Sequence, residues 1–215
     1  MLLEEARREV VRLAGRLRPD GLVVGTSGNL SVRAGDLVAV TPSGLDYDEL
    51  RPELVGVHDV GDGRTVEAPL DPTSELPLHL ACYGSTGATA IVHTHSTAAT
   101  AVSTLVDELP ALHYLVALFG GAPRVAPYAT YGTDELAANA VAALDGRTGC
   151  LLANHGTITI ADTLARAYER NVYLEWLCEV YLRASAVGTP RLLGEGEIAR
   201  VVDRISTYGQ SAPKQ

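Results

Sequence analysis

Leu2, Leu3, Ala6, Val10, Leu13 and Leu17 fall on one stripe of a 3.6-residue repeat, so residues 2–17 are expected to form an amphipathic helix. The period then changes. "LSVR", "LVAV" and "LVGVHDV" read as short strands, with turns at 34–36 and 61–63. "TSELPLHLACYG" carries helix-starting chemistry: Thr73 or Ser74 can cap, Glu75 suits the first turn, and Pro77 is tolerated there. "TAIVHTH" is a strand, "STAATAVSTL" a helix or helical turn, and "APRVAPYA" extended. "TDELAANAVAAL" is a helix capped by Thr133, and "CLLANHGTITI" is strand-like on both sides of Asn154 and Gly156. Residues 162–187 give the longest helix. Its stripe of Tyr168, Val172, Trp176 and Val180 suits a core or subunit contact better than a cofactor site. A last helix covers about 195–205, ahead of the tail "STYGQSAPKQ".

Strands and helices alternate without a regular βαβ rhythm. The expected fold is therefore an α/β three-layer sandwich, a mostly antiparallel sheet between helices. The chain has 215 residues, of which 47% are apolar and 20% charged, and it shows neither repeat nor linker. That fits a single domain over 1–215, with a flexible tail expected from about 206.

Charge and cysteine content narrow the function. A net charge of −9 argues against a nucleic-acid partner, which needs clustered Lys and Arg. It leaves room for one phosphorylated small molecule, which backbone N–H groups and hydroxyls can hold. No apolar run reaches the ~18 residues of a membrane span. The acidic N-terminus lacks the basic start and cleavage site of a signal peptide, so a cytoplasmic protein is expected. Cys82, Cys150 and Cys178 are scattered among apolar residues and read as buried, reduced thiols.

The candidate chemistry centres on histidines. Alternate strand residues share a face, so His93 and His95 of "IVHTH" project together. His155, in "ANHGT", follows another apolar run and has a glycine beside it. Together they make a plausible three-histidine zinc site. The H-x-H pair alone is equally compatible with ordinary histidines or with a cupin barrel, although no carboxylate follows it before Asp107. His58 and His79 read as ordinary residues of a strand and a helix. Thr94, between the paired histidines, should point away. Three polar turns offer donors to an anion: Thr26, Gly28 and Asn29; Thr41, Ser43 and Gly44; Thr73 and Ser74. Each alone is also an ordinary turn. Glu75 can be a ligand, a general base or simply a first-turn acid.

The ordered set G-T-S-G-N, T-P-S-G, T-S-E, H-T-H, L-H-Y, Y-x-x-Y-G-T and N-H-G resembles the class II aldolase/adducin family, most closely its L-fuculose-phosphate aldolase group. The resemblance runs from the first helix to "STYG". It implies one Zn2+ held by His93, His95 and His155. Glu75 is implied as the acid/base residue, which also contacts the metal when no substrate is bound. It implies a phosphate pocket of Asn29, Ser43, Gly44, Thr73 and Ser74, its first turn shaped by Thr26 and Gly28. Tyr114 would reach a neighbouring subunit's site and act at the aldehyde oxygen. Tyr131 would lie near the subunit interface and Tyr208 would close on the site from the tail. The implied assembly is a homotetramer with sites between subunits.

The implied reaction is reversible cleavage of a ketose 1-phosphate, such as L-fuculose 1-phosphate, to dihydroxyacetone phosphate and a small aldehyde such as lactaldehyde. Zinc would act as the Lewis acid. The only lysine, Lys214, sits in the tail, which disfavours Schiff-base chemistry. Relatives that act as ribulose-phosphate 4-epimerases carry Asp where Glu75 stands and a further acid in a segment that here, over 109–133, has none. A methylthioribulose-1-phosphate dehydratase or a deoxypentulose-phosphate aldolase would use the same residues. An adducin-like binding module is disfavoured by the full histidine set.

Overall fold

The computed structural model describes residues 1–205, so the tail, with Tyr208 and Lys214, lies outside the described residues. One eight-stranded sheet runs through the molecule in the order β4-β3-β2-β1-β5-β8-β7-β6. The strands are β1 (Asn29–Ala34), β2 (Leu37–Val40), β3 (Gly56–Asp59), β4 (Thr65–Glu67), β5 (Ala90–Thr94), β6 (Val125–Ala126), β7 (Gly149–Leu152) and β8 (Gly156–Ala161). Every pairing is antiparallel except β6 with β7. The sheet is thus mostly antiparallel, as the irregular element order predicts.

Strand alternation divides the core into two layers. Val38, Val40, Ile91, Ile158 and Ile160 face α2 (Leu76–Ser85) and α4 (Asp134–Ala143). Leu30, Ala39, Ala90, Val92 and Ala161 face α1 (Glu4–Leu17) and α5 (Leu164–Ser185). At one end α3 (Thr97–Ser103) and α6 (Glu195–Ile205) close over Phe119 and Leu151. No helix of the described residues is long and apolar enough to cross a membrane.

Several elements differ from expectation. The first helix starts at Glu4 because Leu3 is left-handed, with φ 50°, and Leu2 is exposed. "LVGVHDV" splits: a 3-10 turn ends at Leu54 and the strand begins at Gly56. β4 has too few apolar residues to show a period. On α5 the buried face is Leu164, Ala167, Tyr168, Asn171, Leu174, Leu177 and Cys178. Of the expected stripe only Tyr168 is core; Val172 and Trp176 are exposed on this chain. The three cysteines are free and buried. Burial pushes the Cys82 thiol up to about 12, so it stays protonated.

Candidate metal centre and active site

His93 is the penultimate residue of β5, which is buried along its whole length, and His95 is the first residue after the strand. Both reach the α2 face, and their Nε2 atoms lie 2.9 Å apart. Thr94 points the other way. Its hydroxyl donates to Asn171 Oδ1 on α5 and accepts from Thr157, while Asn171 Nδ2 donates to Thr157. This closed, buried ring of hydrogen bonds fixes the back of the strand pair.

His155 arrives from the three-residue turn between β7 and β8. Asn154 makes that turn possible in a left-handed conformation, φ 56°, which Asn tolerates better than most residues. Ser103 and Thr100 of α3 tie the turn down: Asn154 N donates to Ser103 Oγ and Thr100 Oγ1 donates to the His155 carbonyl. The His155 and His95 Nε2 atoms are then 3.0 Å apart.

Glu75 completes the cluster at the N-cap position of α2. Its Oε2 is 2.9 Å from His93 Nε2 and its Oε1 is 3.3 Å from His155 Nε2. All the donor atoms of Glu75, His93, His95 and His155 lie within 4.8 Å of one another. Tetrahedral ligands at about 2.0–2.1 Å from zinc stand about 3.3 Å apart, so the spacing fits such an ion.

The donor chemistry asks for a cation. His93 Nδ1 donates to the Thr157 carbonyl at 2.7 Å, so Nε2, which faces His95 and Glu75, is the atom left to ligate. Such a carbonyl partner is the usual orienting contact of a metal-ligating histidine. Glu75 Oε1 is buried without a hydrogen-bond donor. A divalent ion among these atoms would satisfy every lone pair at once.

Charge states agree. Burial favours the neutral Glu75 carboxyl, but His93, His155 and Asn29 outweigh it and hold the group well below the usual carboxylate range. Burial, then the charge on His93, lowers His95 to about 3 and His155 to about 4, leaving both neutral and ready to ligate.

The cluster forms the floor of an open cleft of about 420 Å3. Thr26, Gly28, Asn29, Ser43, Gly44, Thr73, Ser74 and Tyr131 all line it, with Glu75, His95 and His155. Among the described residues no Arg or Lys lines the cleft, so an anion meets N–H groups and hydroxyls of these loops. The polar loops are held together: Ser43 N donates to the Asp71 carbonyl and Thr73 N to that of Thr41. Gly28, at φ 83°, packs so tightly that a Cβ would meet the His93 carbonyl at 2.9 Å. Thr73 and Ser74 do not cap α2 as expected; Thr73 Oγ1 instead accepts from Glu75 N and Asn29 Nδ2. Tyr114 is half-exposed and lines a different groove, beside Arg166 and Tyr173.

His58 is the ordinary strand histidine expected, buried beside Thr65. His79 is not ordinary: it bonds Asn29 and Ser31 directly beneath the cleft. The signal was spacing, since Glu75 and His79 are one helical turn apart and Asn29 and Ser31 alternate on one strand face.

Comparison with known proteins places this geometry. Residues 8–182 match the family described as Class II Aldolase and Adducin N-terminal domain. A 5-deoxy-D-ribulose 1-phosphate aldolase of Bacillus thuringiensis serovar kurstaki is 39% identical, over 98% of this chain and 100% of the relative. A 5-methylthioribulose-1-phosphate/5-deoxyribulose-1-phosphate aldolase of Rhodospirillum rubrum is 42% identical, over 98% and 92%. A solved L-fuculose 1-phosphate aldolase superposes with a TM-score of 0.92 at 37% identity, covering 96% of this chain and 98% of that one. With its histidines and glutamate gathered on one cleft floor, the chain belongs to the class II aldolase and adducin family and is one of its metal-dependent aldehyde-lyases.

Proposed function

We propose that the chain cleaves a ketose 1-phosphate reversibly to dihydroxyacetone phosphate and a short aldehyde, with zinc as its metal. The observation that carries this reading is the convergence of three imidazoles and a carboxylate beside a cleft rich in hydroxyl and N–H groups and, among the described residues, without Arg or Lys. His93, His95 and His155 hold the ion, joined by Glu75 when the cleft is empty. When bound, the ion supplies Lewis acidity for the negative charge that cleavage leaves on the ketone fragment.

The protein's own groups handle the phosphate and the protons. Backbone N–H groups of the Gly28 and Gly44 turns and the hydroxyls of Ser43, Thr73 and Ser74 take the phosphate. In the cleavage direction the C4 hydroxyl loses its proton, the C3–C4 bond breaks, and the aldehyde leaves. Glu75, protonated from solvent when the substrate binds, delivers that proton to C3, giving dihydroxyacetone phosphate, and the C4 hydroxyl proton leaves to solvent through Tyr114. In synthesis the ionised Glu75 removes that C3 proton. Tyr114 exchanges the aldehyde-oxygen proton across a subunit boundary in a homotetramer. Its exposed ring, remote from its own chain's cleft, supports that placement. Tyr131 at the cleft rim adds to the enclosure, and Tyr208, for which the family resemblance implies a similar part, lies outside the described residues.

The relatives named for 5-deoxyribulose 1-phosphate and L-fuculose 1-phosphate support a 1-phosphate ketose and leave the aldehyde portion open. The test is a panel. Zinc-loaded protein is incubated with L-fuculose 1-phosphate, 5-deoxyribulose 1-phosphate and 5-methylthioribulose 1-phosphate, and released dihydroxyacetone phosphate is measured. Release from none of them, with stoichiometric metal bound, rejects the proposal. Light scattering tests the tetramer, and a fully active monomer removes Tyr114 from its role.

A further inference from the structure

An Asn side chain has two ends of nearly equal size, and only its partners decide which way it faces. Asn29 is almost fully buried between β1 and α2. Its Nδ2 lies 3.0 Å from Thr73 Oγ1 and 2.9 Å from Glu75 Oε2, and its Oδ1 lies 2.5 Å from His79 Nε2. Behind His79, its Nδ1 is 2.6 Å from Ser31 Oγ, which is 2.7 Å from the Tyr83 hydroxyl. His79, Ser31 and Tyr83 are buried, and none has a part in the chemistry above.

The protons in this chain can be placed. An ionised Glu75 only accepts, so Asn29 presents its NH2 to it, and Oδ1 must face His79. Nε2 of His79 therefore carries the proton. Complete burial keeps the ring neutral, so Nδ1 accepts from the Ser31 hydroxyl. Ser31, its one proton spent, accepts from Tyr83. Every bond from Tyr83 to Glu75 then runs in one direction.

We propose that His79 is a positioning residue: its Nε2–H form holds the Asn29 amide with the NH2 toward Glu75 and Thr73. A flipped amide would set Oδ1 against the Glu75 carboxylate and the NH2 against the His79 N–H, two repulsive contacts in a buried site. His79 thus acts on the acid/base group through Asn29, and Ser31 with Tyr83 fixes the tautomer that does so. The kinetic consequence rests on the proposed role of Glu75; the hydrogen-bond direction does not.

Two measurements on metal-loaded, full-length protein test this. Long-range proton–nitrogen NMR of the histidine rings should show His79 protonated on Nε2 alone across about pH 6 to 8. A ring protonated on Nδ1, or on both nitrogens, overturns the proposal without any variant. His79→Leu should bind metal normally and lower kcat roughly 10- to 100-fold, the scale seen when an outer-shell partner is lost, with KM little changed. His79→Gln, which restores an N–H donor, should recover most of the loss. Wild-type kcat in His79→Leu, or no recovery in His79→Gln, overturns the proposal. If Glu75→Gln keeps full cleavage, the acid/base reading fails instead, and the tautomer measurement still decides the role of His79.

Discussion

Gly156 lies against Thr94 so closely that a Cβ built on it would stand 2.1 Å from the Thr94 carbonyl oxygen. That contact joins the end of β5 to the start of β8, where His95 and His155 leave the sheet. Backbone cannot yield as a flexible side chain would. Gly156→Ala should therefore cost about 3 kcal/mol and spread the histidines. Gly84→Ala on α2, with nothing within 4 Å, should be neutral or gain about 0.5–1 kcal/mol from helix propensity. Urea unfolding of both variants checks the contrast, and equal midpoints would refute it.

Glu175 of α5 acts at a distance on the same strand end. Its carboxylate oxygens accept the N–H groups of Ala98 and Ala99, each at 2.8 Å, at the start of α3. Ser96 stands at the N-cap without a side-chain cap of its own, so Glu175 supplies the missing acceptor. Glu175→Ala should lower stability by about 2–3 kcal/mol, because two charge-assisted bonds are lost. Since α3 follows His95 directly, metal affinity should fall about tenfold, on the low side of outer-shell effects. Competition with a chromogenic chelator measures it; unchanged affinity would separate the cap from the site.

Glu75 and His95 should divide metal binding from turnover. Glu75→Gln leaves the three imidazoles in place and should retain stoichiometric zinc, with cleavage reduced about 100-fold or more, on the scale of general acid–base catalysis. His95→Ala should lose both. Elemental analysis beside the cleavage assay tests the pair, and turnover at the wild-type rate in either variant contradicts the assignment.

Acid should weaken the metal-free protein before most carboxylates titrate. His79 and His95 are lowered to about 3 and His155 to about 4, first by burial and then by the charge on His93. In the unfolded chain they titrate near the ordinary 6.5. As pH falls below 6.5 the unfolded state takes up protons that the folded state refuses, so stability drops until the folded values are reached. His93 works in the opposite sense: burial lowers it, but Glu75 and the Thr157 carbonyl raise it overall. Burial lowers His58 and His113 in the same sense as those three, so five groups oppose one. The urea midpoint of chelator-treated protein should fall between about pH 7 and about pH 4.5, and a flat or rising midpoint would disprove neutral histidines.

Period and spacing carried much of this structure, for reasons particular residues make plain. His93 and His95 share a face because β5 is extended, and extension follows from its apolar run. His155 was legible because Asn and Gly mark its turn. The start of α2 was not, since a cap by Thr73 competes with the bonds Thr73 makes to Asn29 and Glu75 across the fold. His79 and Glu175 escaped notice for the same reason. A helix residue acquires such a role only from a partner 50 or 77 positions away; the one-turn spacing of Glu75 and His79 marks a shared helix face but not the partner.

The histidines stand at the ends of the adjoining central strands β5 and β8, whereas the cleft rim is made by loops around Gly28, Gly44 and Tyr131. Away from Gly28, which packs against the His93 carbonyl, those loops can change length or side chains without moving a histidine. Reaction and recognition are thus separately inheritable: one part of the chain preserves how a bond is broken, while another is free to drift among sugars.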